Sequence, residues 1–217
     1  MATLAQIRAR VARKIKNPDM TGSITSAVIT EEINRSIRFY ERYKFNFNEE
    51  MSTITLTANA QVVPSIPADL SSPLYVNGLM VIDDQVKINL QKLLPDDFFN
   101  RDQDQTGRPA FWTYRDGQFL LLPTPDSAYP LKFRYLKAYA DLSADADTND
   151  FTDNAEDLIM LHTVKNLYAE DKQDPESAVY YQALEDKELK SIMEKSDDFE
   201  ASGFLSNNTI LEEYTTC

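Results

Sequence analysis

Asp145, Asp147, Asn149, Asp153 and Glu156 stand at positions 1, 3, 5, 9 and 12 of the spacing with which an EF-hand loop surrounds a calcium ion. Position 6 of such a loop needs glycine for its sharp turn, and here it is Asp150. The residues before Asp145 alternate like a strand where an EF-hand would place a helix. Both departures fit an acidic, Asx-rich connection that caps a helix starting near Ala155, with a weak calcium site as the alternative. Asp96, Asp97, Asp102 and Asp104 form a second acidic group. Their segment offers no apolar pocket to shift a carboxyl pKa, so it reads as solvated charge and not as an acid–base pair.

His162 is the only histidine, and nucleophilic catalysis needs a base beside its nucleophile. It falls one turn after Leu158, at the edge of an apolar stripe and without a Ser or Cys motif, which predicts a structural role. With five glycines in the chain there is no Gly-rich phosphate loop. No catalytic residue and no cofactor is expected. A sugar- or receptor-binding protein would instead use Trp112, Tyr114 and Tyr135 as an aromatic platform, although such proteins are mostly β.

The elements that must carry these groups follow from periodicity. Leu4, Ile7, Val11 and Ile15 recur every three or four residues and predict a first amphipathic helix, with Arg8, Arg10, Arg13, Lys14 and Lys16 opposite. Those cations suit solvent or an acidic neighbour such as an identical subunit. After a linker over 17–26, a second helix has Thr30 as its expected N-cap and Ile29, Ile33, Ile37 and Tyr40 as its buried stripe. Phe39, Tyr43, Phe45 and Phe47 crowd its end as a core anchor or a subunit seam. Arg8, Arg10, Arg13, Lys14, Phe39 and Tyr43 are accordingly the candidates for a subunit interface.

From Met51 to about Tyr139 the period becomes two. Segments 75–82 and 86–90 flank a turn at 83–85, and 111–115 and 118–122 are joined by Asp116-Gly117, a strong hairpin signal. The polar stretch 94–107 reads as a projecting loop. Two further helices follow, one from Ala155 to Glu170 and one opening at Asp174-Pro175 with Tyr180, Ala183, Leu184, Leu189, Ile192 and Met193. The expected fold is α+β: a helical bundle from 1–50 and 141–197 with an antiparallel β domain, 51–140, inserted. An extended arm, 198–217, closes the chain. Its Phe199, Phe204, Leu205, Ile210, Leu211 and Tyr214 lack a helical period and suit a partner's clefts.

Composition narrows the class. No run approaches the roughly 20 apolar residues of a membrane span, and residues 1–16 lack a signal-peptide core. Cys217 is the only cysteine, so no intrachain disulfide is available and a cytosolic origin is expected. The net charge is −13, but residues 1–47 hold nine basic against four acidic side chains, leaving −18 for the rest. So acidic a chain should not coat nucleic acid, whose binding depends on cations displacing phosphate counterions.

Several stretches in order carry a family likeness. The helix from Ile33 to Arg42, ending in Phe45-Asn46-Phe47-Asn48-Glu49, resembles the N-terminal helix of head-to-tail adaptor proteins of tailed bacteriophages, especially short-tailed ones. Val63-Pro64-Ser65-Ile66-Pro67-Ala68-Asp69-Leu70, Gly107-Arg108-Pro109-Ala110-Phe111-Trp112 and Leu122-Pro123-Thr124-Pro125-Asp126-Ser127-Ala128-Tyr129 are similar too, as is Phe133-Arg134-Tyr135 leading to Leu142-Ser143 and Thr148-Asn149. The likeness covers about Ile24 to Tyr181, outside the first helix and the arm. It implies a non-enzymatic virion protein, assembled in the host cytoplasm as a ring of typically twelve copies under the portal protein. It also implies loops presented to tail proteins such as the nozzle, a C-terminal extension docked on the portal, and a lumen through which DNA passes without specific binding. A nozzle or stopper protein of the same tail machine, or a calcium-dependent binding module, are the competing readings.

Overall fold

The computed structural model describes residues 2–72, 76–84 and 86–212, with the backbone alone for Asn77 and 198–212. The fold is α+β. Two compact units form, one drawn from the start of the chain to Asn48 and from Tyr139 onward, the other being Glu49–Ala138.

In the helical unit, α1 (Leu4–Lys14) opens with a capping box in which Thr3 and Gln6 exchange side chain and backbone hydrogen bonds. Two orphan N–H groups are thereby satisfied. Leu4, Ile7, Val11 and Ile15 are fully buried, as their spacing predicts. The second helix, α2 (Ser26–Tyr40), is capped by Thr25, whose hydroxyl accepts from the Val28 amide, and not by Thr30. A cap at Thr30 would leave Ile29 outside the helix, whereas the cap at Thr25 lets Ile29 join Ile33, Ile37 and Tyr40 on the buried face. Thr30 donates to the Ser26 carbonyl and accepts from Arg8.

Within the β unit come β1 (Glu49–Thr55), β2 (Val76–Asp83), β3 (Val86–Asn89), β4 (Gln91–Lys92), α3 (Pro95–Phe99), β5 (Thr106–Gly107), β6 (Phe111–Arg115), β7 (Gln118–Leu122), β8 (Thr124–Pro125) and β9 (Pro130–Leu136). The main sheet runs β1-β9-β2-β3 with every pair antiparallel. The β6–β7 hairpin turns at Asp116 (φ 51°) and Gly117 (φ 80°), the left-handed pair that a two-residue hairpin loop demands. Two short pairings, β4 with β6 and β5 with β8, are parallel. Leu79, Val81, Phe119, Leu121, Leu131 and Phe133 fill the core from inward positions that alternate along β2, β7 and β9.

The segment 94–107 differs from the loop expected of it. Its polar residues surround a short helix, α3, that is anchored by the fully buried Phe98, and its far end pairs as β5. Counting its aspartates overstated its freedom, because one buried aromatic is enough to hold so short a segment.

The helical unit then resumes with α4 (Asp150–Asn154), α5 (Glu156–Asn166), a π-helical turn (Leu167–Asp171) and α6 (Pro175–Glu212). Asp174 starts α6 by accepting from the amide and hydroxyl of Ser177, which hold its carboxyl below the usual range. Along α6 the inward positions are Ala178, Tyr181, Glu185, Leu189, Ile192 and Ser196, spaced by three or four residues. Tyr180, Ala183 and Met193 face outward, because the helical period carries them off that stripe, whose centre is the charged Glu185. The extended arm expected from 198 is likewise revised: α6 continues as helix to Glu212. Prolonging an existing helix avoids the cost of nucleation, so the weak period of 198–212 suffices.

Candidate assembly surfaces

The cationic face of α1 finds its acidic neighbour within its own chain. Arg8 reaches Asp145 at 2.5 Å, and Arg10 bridges Glu156 and Asp157, the latter at 2.6 Å. The first amides of α1 join in: Leu4 N–H donates to the Asp147 carbonyl (3.0 Å) and Ala5 N–H to that of Asp145 (3.1 Å). These contacts satisfy donors that a helix N-terminus leaves open. Arg13 and Lys14 remain exposed, with no ion pair among the described residues.

The same contacts account for the EF-hand-like spacing. Asp147 accepts from the amides of Ser143 (2.8 Å) and Ala144 (2.7 Å), which hold its carboxyl below the ordinary value. Asn149 caps α4 by accepting from Thr152 N–H at 3.1 Å. Asp145 and Glu156 are engaged by Arg8 and Arg10. Asp153 lies in α4, a helix where an EF-hand loop would still be turning. No group of three or more metal-capable side chains converges among the described residues.

His162 is 6% exposed and sits in a polar cluster that the sequence does not announce. Its Nδ1 lies 2.8 Å from Oε1 of Glu185, a carboxylate 4% exposed on α6. Tyr40 of α2 donates to the same oxygen at 2.5 Å, and Lys165 of α5 pairs with Oε2 at 2.9 Å. Burial alone would raise the Glu185 pKa, but the hydrogen bonds from His162, Tyr40 and Lys165 outweigh it and hold the group down at about 2. Burial, and then the bond to Glu185, push the Tyr40 hydroxyl far up. The cluster ties α2, α5 and α6 together. Nothing in it resembles a nucleophile with its base, and Phe39, stacked on His162 at 4.8 Å, covers the ring.

Aromatics of the β unit do not form a sugar platform. Trp112 and Tyr135 are buried, Tyr114 packs against Phe119 at 5.0 Å, and the Tyr135 hydroxyl donates to Asp69. Asp96, Asp97, Asp102 and Asp104 are exposed, as solvated charge should be. Of the remaining candidates, Phe39 keeps an exposed edge and Tyr43 is half-buried. The side chains of Phe199, Phe204, Leu205, Ile210 and Leu211, and Tyr214 altogether, lie outside the described residues.

The exposed faces of α6 and Glu185 itself are the features that sequence reasoning missed. A charged residue in an otherwise apolar stripe was the available signal for both.

The result is an α+β scaffold whose polar clusters join its own helices. Residues 2–207 match the family described as SU10 adaptor protein, and the chain belongs to that family of bacteriophage adaptors. No curated protein matches it. Among the described residues no helix is long and apolar enough to cross a membrane.

Proposed function

We propose that the protein is the head-to-tail adaptor of a virion, forming a ring beneath the portal that joins the capsid to the tail and continues the DNA channel. The match to an adaptor family along 2–207 is the observation that carries this reading. Several features support it. The helix α6 continues to Glu212, past Ser196, its last described contact with the bundle. An element of this kind, with six large apolar residues over 198–217 and no lysine or arginine, suits clefts between portal subunits. The strongly acidic chain suits a lumen that repels DNA phosphate, so that DNA leaves the head at ejection without sticking. The β unit would then present its loops to tail proteins such as the nozzle, in a ring of twelve copies.

Light scattering of the protein alone and mixed with its portal, with a chain truncated after Ser196 in parallel, tests the reading. A ring-sized complex with the portal that fails without the last segment is the expected result. A full-length chain indifferent to the portal would overturn it.

A further inference from the structure

Two exposed patches of the helical unit are unlike each other and complementary. The first lies at the C-terminal end of α2, where Arg35, Arg38 and Phe39 share one exposed face by their spacing and the exposed Arg42 follows in the turn just beyond Tyr40. Phe39 is 41% exposed. Arg35 bridges Glu32 and Glu170, and Arg38 bridges Asp141, while Arg42 has no ion partner among the described residues. The second patch is the outward side of α6. Val179 is 70% exposed, Tyr180 61% and Met193 42%. Met193, together with the outer edge of the half-buried Leu189, floors an open depression of about 310 Å³ whose rim is Asp186, Lys190, Glu194 and Asp197. Three carboxylates against one ammonium make that rim anionic, and the depression has room for an aromatic ring.

We propose that the α2 patch of one copy seats on the α6 patch of the next. Phe39 enters the depression between Leu189 and Met193, and Arg38 and Arg42 face Asp186, Glu194 and Asp197. A second copy is the occupant that the charge distribution favours. Residues 1–48 carry a net charge of +5 and residues 139–197 one of −11, so the two halves of the helical unit attract between copies as well as within one. Because the patches differ, the contact is heterologous: each copy keeps a free patch of each kind, and repetition closes a ring if the rotation allows. This inference rests on the ring reading given above and supplies its interface.

The test uses two surface substitutions, Arg42→Glu and Met193→Glu, with thermal melts confirming that both variants fold. In sedimentation velocity, the wild type is expected to exceed dimer mass as concentration rises. Each variant alone should stay monomeric, its association weakened at least tenfold. An equimolar mixture should stop at dimers, since it holds one intact patch of each kind. Variants that assemble like the wild type, a mixture that stays monomeric, or a wild type monomeric at every concentration would each overturn the proposal. Portal binding separates this from the adaptor reading. A wild type that binds portal while its variants assemble undisturbed removes only the interface, and one that ignores portal removes the adaptor reading itself.

Discussion

A single carboxylate fixes how the last helix meets the bundle. Glu185 is buried, ionised and held by a histidine, a tyrosine and a lysine from two other helices. Removing one partner of a buried pair leaves the others uncompensated, at a cost of about 3–5 kcal/mol. Glu185→Gln is therefore expected to lower stability by roughly that amount in urea unfolding, because the amide keeps the shape and loses the charge. The pH dependence has a definite sign. Glu185 titrates at about 2 when folded against 4.5 for the free group, so its contribution is complete above about 4.5 and is lost as pH falls towards 2. Unfolding curves collected across that window should show a stability loss in the wild type that is smaller in the variant; parallel curves would sink the assignment. Periodicity placed His162 at the edge of a stripe and predicted a structural role. It did not find Glu185, because a pattern of apolar positions reads any charge as outward.

Where elements are concerned, the sequence was most legible where local chemistry decides the backbone. Asp116-Gly117 identified the β6–β7 hairpin to the residue, since few side chains accept two successive left-handed positions. A Cβ added at Gly117 meets nothing within 4 Å, so any penalty there comes from the backbone. Gly117→Val should cost about 1–3 kcal/mol, and Gly117→Asn much less because asparagine tolerates φ near +60°; denaturation midpoints of the two variants check this. Legibility fell where two elements answer each other. The cations of α1 and the acids of 145–157 were each recognised, but their pairing spans more than a hundred residues, and periodicity carries no such information. That pairing predicts the response to metal. With Asp147 and Asn149 turned onto backbone amides, and Asp145 and Glu156 held by arginines, calcium added to the protein should produce no binding heat in calorimetry. A saturable isotherm would show that these oxygens are free to reorganise.

On the scale of the whole molecule, the described contacts between α6 and its bundle stop before the helix does. The described inward positions of α6 end at Ser196, whose hydroxyl contacts Asn46, and residues 198–217 hold net charge −4 with no cation. Apolar residues in that segment are expected from the sequence to meet a partner. Their helical backbone is not expected from it, because the choice between an extended and a helical path is made by the helix already formed upstream. If the segment served the bundle, truncation after Ser196 would remove buried apolar area, at about 25 cal/mol per Å², and lower the melting temperature by several degrees. If it serves a partner, the truncated chain should melt within about a degree or two of the full chain while losing its portal complex. Calorimetry and light scattering on the same truncated protein read the two quantities independently. The expected pattern, an unchanged melt with a lost complex, assigns 198–217 to docking; a lowered melt would return those residues to the fold.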